Sequence, residues 1–553
     1  MSQNNGRKNG FILQAGILAA AGIISRIIGL LYRGPLHSVI GDLGMGYYQT
    51  AFNYYTIILL ISSYSIPSAI SKVIAQKLAL REYRSAHRVF KCALAYVLAV
   101  GGAASLALFF GAGIILPGKE SAVLRAFAPT IFIYGILGVL RGYFQAHGSM
   151  VQTSVSQILE QIANAIVSVG AAYLLIQWTM GSMEIPADEA GRVSRAASGA
   201  LGSALGAGAG VLVALLFMTG VYMLNRRLID NRIRSDRHVG TDSHKFIMRT
   251  IVMVVTPFIL STAVCNLSAT VNNAVYTQLI PSLKELDEVA VFSRWGAFSA
   301  QTLTISNIPI AFATAMASAV IPSVAQLAAA GDMDGTRQRI GLAVKTIMLI
   351  SIPCAVGLFA LARPVTGLLF TNTKETEDLV TYLLMAIVLT VVFDALSTLN
   401  SSVLQGLGKV NTPIINAGIA LVVQTAALVL LLWLTELDLY AVAIATTLYS
   451  AVLCALNQLA VRRAVRYRQE ITGTFLIPFL ASACMGGIAW ATYEGLRMLT
   501  SSPRISVIMA IILAACVYFV MLLLFRGLSE EELKGLPKGY LLVNLAKKCR
   551  LMK

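Results

Sequence analysis

SIPSAISKVIAQKLALREYRSAHRVFK (Ser65–Lys91) and VIPSVAQLAAAGDMDGTRQRIGLAVK (Val320–Lys345) are the two stretches that decide the fold. Each places Ile-Pro-Ser at the end of a long apolar run, continues as a short helix with basic residues, and then opens the next apolar run. Pro67 pairs with Pro322 at an offset of 255. A second pair, LRGYFQAHGSMVQT (Leu140–Thr153) and LNSSVLQGLGKVNT (Leu399–Thr412), aligns Gln145 with Gln405 at an offset of 260. Two matches at nearly one offset, in the same order, predict an internal repeat.

Around these stretches the chain is a series of apolar runs near 11–33, 47–71, 89–113, 122–145, 151–177, 196–224, 247–276, 297–326, 338–362, 377–404, 411–434, 438–460, 473–495 and 505–526. Each is about long enough to cross the hydrocarbon as a helix, which takes roughly 20 residues. Hydrophobic residues make up 57% of the chain and charged ones 12%, against about 25% charged in a soluble domain. The runs are too long and too uniformly apolar for barrel strands, which alternate over about ten residues. The predicted fold is all-α and integral to the membrane, with fourteen transmembrane helices. The repeat unit holds six of them. Six is even, so both copies enter from the same side, as parallel repeats about an axis along the membrane normal. The expected organisation is an N-terminal six-helix lobe at 1–224, a cytoplasmic linker at 225–246, a C-terminal six-helix lobe at 247–462, helices 13 and 14 within 463–526, and a cytoplasmic tail at 527–553.

The net charge of +17 first suggests nucleic acid, but its distribution does not. With the N-terminus inside, the cytoplasmic connections and tails hold about 31 of the 43 Lys and Arg, the bias that sets orientation during insertion. Lys72 to Lys91, Arg226 to Arg249 and Arg462 to Arg468 are the densest clusters, placed to lie against anionic headgroups. No nucleic-acid partner is expected. The first run, preceded by Arg7 and Lys8, is too long for a signal peptide and reads as a retained helix. Of seven cysteines, six fall in or at the ends of spans and Cys549 in the tail, so neither disulfides nor a metal cluster is expected. There is no GxxxxGK[ST] loop and no catalytic constellation. The chain is read as a non-enzyme with no cofactor and no metal.

Polar groups within spans carry the functional reading, because they are costly there and face a cavity or a partner. Arg26 lies well inside span 1, and Arg33 follows two helical turns later on the same face. A guanidinium stays charged and grips phosphate with a planar fork. Two readings of Arg26 stand: a cavity cation for an anionic group, or a structural ion pair with Glu160 or Asp394. Gln157, Glu160, Gln161 and Asn164 share one face of span 5. Asp394 in span 10 has Ser397, Asn400 and Ser401 nearby, and span 7 adds Asn266, Asn272 and Asn273. These residues suit a wet cavity, and interhelical hydrogen bonding is the other reading. The candidate binding residues are therefore Arg26, Arg33, Gln157, Glu160, Asn164, Asn272, Asp394 and Gln405. Gly202, Gly206 and Gly210 recur every four residues along span 6 and read as a close helix-packing stripe. Pro67, Pro129, Pro257, Pro309, Pro322 and Pro353, in or at the ends of spans, bend helices.

The six-plus-six-plus-two pattern, SRIIGLLYR in span 1, RGYFQ closing span 4, SVSQILEQI in span 5 and the Ile-Pro-Ser repeats resemble the multidrug/oligosaccharidyl-lipid/polysaccharide exporter superfamily. Within it the chain resembles the polysaccharide biosynthesis branch, which holds stage V sporulation protein B and the YtgP or MurJ-type lipid II flippases. The resemblance implies an alternating-access carrier that moves an undecaprenyl-diphosphate-linked cell-wall or polysaccharide precursor, lipid II foremost, to the outer leaflet. It assigns span 1 arginines to the diphosphate. Arg26 matches that pattern, while Arg33 is displaced by one position. The arginine expected in span 2 has no counterpart, and that of span 8 has only Arg294. Some relatives hold sodium between spans 7, 11 and 12, where span 11 here offers Asn416 and no carboxylate. The implied partners are a lipid-linked oligosaccharide, membrane lipids, and cell-wall synthesis or division proteins; the Lys and Arg distribution places both termini in the cytoplasm. Two alternatives remain. One is a drug or cation antiporter on the same fold, coupled through Glu160 and Asp394. The other is a scaffold that recruits cell-wall enzymes through 225–246 and the tail.

Overall fold

The computed structural model describes residues 20–64, 66–182, 189–236, 243–499 and 502–527. Arg7, Lys8, Cys549 and the tail from residue 528 onward lie outside the described residues. Among the described residues the chain is helical, without strands. Nine helices among the described residues are long and apolar enough to cross a membrane, or ten if the pair Lys374–Ile387 and Leu389–Gly406, bent by 43°, is one span. By contact the chain divides into two compact units, residues 1–300 and 301–553. This partition follows packing, whereas the lobes expected from the sequence follow the repeat.

The first unit holds α1 (Ala20–Leu31), α2 (Arg33–Leu59), α3 (Ile66–Ala79), α4 (Tyr83–Ile115), α5 (Glu120–Ala146), α6 (Val151–Ser182), α7 (Glu189–Arg234), α8 (His244–Lys284) and α9 (Glu288–Ala297). Span 2 is divided by a π turn, Leu60–Tyr64. Pro67 has no N–H to give the carbonyl of residue 63, so the regular ladder is interrupted there. Small residues of α5 make room for the bend. A Cβ on Gly142 would meet the Pro67 carbonyl oxygen at 2.7 Å, and one on Gly138 would meet the Pro67 ring at 3.3 Å. A second π turn, Phe298–Thr302, stands at the start of span 8.

Gly41, at φ 68°, breaks α2 near its start. Beyond the break, the backbones of α2 and α9 touch. A Cβ on Gly296 would lie 1.9 Å from the Asp42 carbonyl oxygen, and one on Gly46 would lie 2.0 Å from that of Phe292. Two apolar cores fill the unit. One gathers Ile70, Ile74, Phe90, Val97, Leu137 and Met218. The other gathers Tyr48, Ala51, Tyr55, Leu124, Phe127 and Ala204. The Asp236 carboxylate accepts a hydrogen bond from Arg84 N (2.8 Å) at the start of α4, a side-chain cap supplied from 152 residues away.

The second unit holds α10 (Leu303–Ala329), α11 (Met333–Ala360), α12 (Ala362–Leu369), α13 (Lys374–Ile387), α14 (Leu389–Gly406), α15 (Asn411–Leu434), α16 (Leu439–Val465), α17 (Ile477–Leu499) and α18 (Pro503–Leu524). Its main core joins Ala317, Val324, Val344, Ile347, Leu399 and Val461. A smaller one, around Met485, Ala489, Val507 and Ala510, joins α17 and α18 to the rest of the unit.

The repeat is visible as shared local geometry within each unit. Glu82 N bonds to Lys77 O and Tyr83 N to Arg81 O in the first, as Asp332 N does to Leu327 O and Met333 N to Gly331 O in the second. The pivots of these turns, Arg81 (φ 60°) and Gly331 (φ 75°), are both left-handed. Gly148 and Gly408, the partners of the Gln145/Gln405 alignment, share φ 76°. They close the same two-bond helix terminus: Ser149 N to Phe144 O with Gly148 N to Gln145 O, and Lys409 N to Leu404 O with Gly408 N to Gln405 O.

Candidate functional site

α1 passes into α2 through Tyr32, whose φ of −76° and ψ of −16° keep the chain helical. Arg26 and Arg33 therefore hold the two-turn spacing expected from the sequence. Arg26 is exposed, and among the described residues no ion pair or hydrogen bond engages it. Arg33 is half-buried and engaged with neighbours. A Cβ on Gly29 would lie 3.7 Å from Gln161 Oε1, so α1 runs against the polar face of α6. Arg26 is three residues before Gly29 and shares its side of the helix. Arg26 thus stands about one turn along α1 from the residue that meets Gln161.

Along α6, Gln157, Glu160, Gln161 and Asn164 are all half-buried. Glu160 is not free. Arg141 Nη2, from α5, donates to Glu160 Oε2 at 2.8 Å, and Arg141 Nε donates to Ser156 Oγ at 2.9 Å. The ion pair read as one possibility for Arg26 is thus made by a different arginine. Asn164 Oδ1 accepts from Ser168 Oγ at 2.9 Å, and that hydroxyl also lies 3.1 Å from the Ser203 carbonyl oxygen.

The glycine stripe of α7 packs on the adjacent side of α6, as the small-residue spacing predicts. A Cβ on Gly202 would lie 2.5 Å from Ala171 O, one on Gly206 2.4 Å from Ser168 N, and one on Gly210 2.5 Å from Glu160 O. In α8, Asn273 Nδ2 donates to Thr50 Oγ1 at 3.0 Å. Its neighbour Asn272 is 4% exposed and also engaged. Asn273 thus serves helix-to-helix bonding.

The second unit carries its own polar cluster. Asn457 Nδ2 donates to Ser401 Oγ (2.9 Å) and reaches Ser397 Oγ (3.4 Å), and Asn416 Nδ2 donates to Asn457 Oδ1 (2.9 Å). Asn400 Nδ2 donates to Gln458 Oε1 at 2.8 Å. Asp394 lies against the hydroxyl of Ser450. Gln405 is exposed at the end of α14 and joins none of these groups through its side chain.

The spacing of polar residues along α6 shows the face of Glu160 but not its partner. Arg141 and Ser156 stand at nearly equal distances from the turn at Gly148, so an antiparallel hairpin brings them level, and Glu160 is one turn further on. That hairpin symmetry was the available signal. Asn457 and Gln458 were missed because single amides in an apolar run have no periodicity. Among the described residues no group of three or more His, Cys, Asp or Glu side chains is arranged to hold a metal ion.

Residues 87–511 match the family "Lipid II flippase MurJ". The chain belongs to this family. The lipid II flippase MurJ of Bacillus subtilis (strain 168) is 24% identical over 488 residues, covering 85% of this chain and 86% of the relative. Stage V sporulation protein B of the same organism is 23% identical over 539 residues, covering 96% and 98%. The family is one of membrane transporters, not of enzymes. Solved structures agree on the fold. An inward-facing multidrug resistance MATE transporter of the MOP superfamily aligns with a TM-score of 0.57 at 16% identity, over 82% of this chain and 98% of that one. An outward-facing MATE transporter aligns with 0.58 at 16% identity, over 82% and 95%. A MOP superfamily transporter from Pyrococcus furiosus described as having a binding pocket of reversed polarity aligns with 0.55 at 16% identity, over 82% and 95%. The architecture is MATE-like and multi-pass. At these identities the structural likeness carries the fold alone, and the flippase family comes from the sequence match.

Proposed function

We propose that this protein carries an undecaprenyl-diphosphate-linked cell-wall precursor, lipid II, from the inner to the outer leaflet by alternating access between the six-helix lobes 1–224 and 247–462. One observation supports it beyond family membership. Arg26 is exposed, on a helix that runs against the polar face of α6, and Glu160, one of the two carboxylates considered for it, is already bonded to Arg141. A guanidinium left in that condition suits a phosphate, which it grips through two parallel charge-assisted hydrogen bonds. Arg26 and Arg33 are assigned to the diphosphate. Gln157 and Asn164, on the face of α6 that Glu160 shares, are assigned as the polar lining beside them. No bond is made or broken in this reaction, and it needs no cofactor.

The Lys and Arg distribution supports an orientation with both termini in the cytoplasm. Cell-wall synthesis or division proteins are the partners that would consume the substrate outside. The antiporter reading draws no support from Glu160, whose carboxylate is occupied. Replacement Arg26→Ala in cells depleted of their own flippase tests the proposal. The expected outcome is loss of growth and of lipid II accessible at the outer leaflet, with the variant inserted at normal levels. Normal growth on Arg26→Ala overturns it.

A further inference from the structure

We propose that Arg141 is a positioning residue that holds the Glu160 carboxylate away from Arg26 and so keeps Arg26 available to phosphate. The inference rests on the flippase reading above. The Arg141 side chain is 6% exposed and that of Glu160 16%. Arg141 is fixed from two sides, by Glu160 at 2.8 Å and by Ser156 at 2.9 Å. Ser156 is itself fixed, since its hydroxyl also donates to the Thr153 carbonyl oxygen at 2.7 Å. The arginine has little freedom to leave, and the carboxylate follows it.

The neighbour of Glu160, Gln161, is the residue against which Gly29 of α1 lies. Arg26 is one turn from that contact. A loose carboxylate on this face would be a ready ligand for Arg26, because opposite charges attract more strongly in partly buried surroundings than in bulk water. Each Arg26–Glu160 pair formed would remove a phosphate site. Committing Glu160 to a second, buried arginine removes the competitor while leaving the face polar. Stability alone is a weak reason for such a pair, since apolar side chains of similar volume often serve as well.

The test uses purified full-length protein in lipid nanodiscs with undecaprenyl diphosphate as the probe, reading binding and melting temperature together. Arg141→Gln is expected to weaken binding about tenfold. Adding Glu160→Gln is expected to return most of it, and Arg141→Lys, which keeps the counter-charge, to lose less than Arg141→Gln. In an Arg26→Ala background, Arg141→Gln is expected to cause no further loss, whereas a merely structural role would add its own. Wild-type binding by Arg141→Gln, or a double variant as weak as the single, overturns the inference. If Arg141→Gln does not accumulate, Ser156→Ala with and without Glu160→Gln makes the same comparison. A loss of about threefold that is regained supports the idea, and no loss or no regain overturns it. Undiminished probe binding by Arg26→Ala would instead sink the diphosphate site itself. Loss at Arg26 without any effect at Arg141 sinks only this inference.

Discussion

Gly206 of α7 and Ser168 of α6 are in backbone contact: a Cβ on Gly206 would fall 2.1 Å from Ser168 Oγ and 2.4 Å from Ser168 N. Gly206→Ala therefore forces the two helices apart along the face that backs Glu160 and Asn164. The expected loss is about 1–3 kcal/mol, the scale of overpacking, read as a lower melting temperature in detergent. Gly220, with nothing within 4 Å of its own absent Cβ, is the control. Gly220→Ala should be neutral or stabilise by about 0.5–1 kcal/mol, since alanine restricts the unfolded chain. Equal effects at the two positions would refute the packing account.

Much of the fold was legible because its signals are periodic or repeated. Apolar runs of span length follow from the bilayer, and the Gln145/Gln405 alignment reappears as two glycines with the same left-handed φ. The stripe Gly202, Gly206 and Gly210 was readable from spacing alone. The breaks were less so. Pro67 marks span 2 as bent, but where the ladder yields depends on Gly138 and Gly142 of another helix. The contact of Gly46 with α9 is likewise invisible, because glycine spacing does not name the partner. Within the candidate site, a charge in an apolar run announces itself, whereas its partner is set by tertiary packing. Arg26 and Glu160 were found as residues, and Arg141 was found as the partner only in three dimensions.

His147 gives a pH dependence with a defined sign. It sits in the short connection after α5, with Nδ1 at 2.9 Å from the Tyr143 carbonyl oxygen and its ring centroid 4.5 Å from that of Tyr143. Burial pushes its pKa below the ordinary 6.5, the Tyr143 carbonyl pulls it partly back, and the Arg232 charge lowers it again. The folded protein thus favours the neutral ring more than the unfolded chain does. The stability this contributes is complete above about pH 6.5 and is lost as pH falls from there through the lowered value. A melting series from about pH 7.5 to 5.5 should show a decline that His147→Gln makes shallower. An identical decline in both proteins would remove His147 as its source.

Asn457 is fully buried and ties three helices of the second unit together, accepting from Asn416 of α15 and donating to Ser401 and Ser397 of α14. Replacing it with leucine keeps the bulk but leaves the Asn416 amide without that acceptor. An unsatisfied buried donor costs about 1–3 kcal/mol, while polar contacts between membrane helices average nearer about 0.6 kcal/mol, because the unfolded chain in the membrane also finds partners. With several bonds converging on one side chain, Asn457→Leu should lose about 1–2 kcal/mol. The double variant Asn457→Leu/Asn416→Ala should lose clearly less than the sum of the singles, because both report one bond. Strict additivity in detergent melting would mean that the two amides act independently, and that α15 is held to α16 by apolar packing alone.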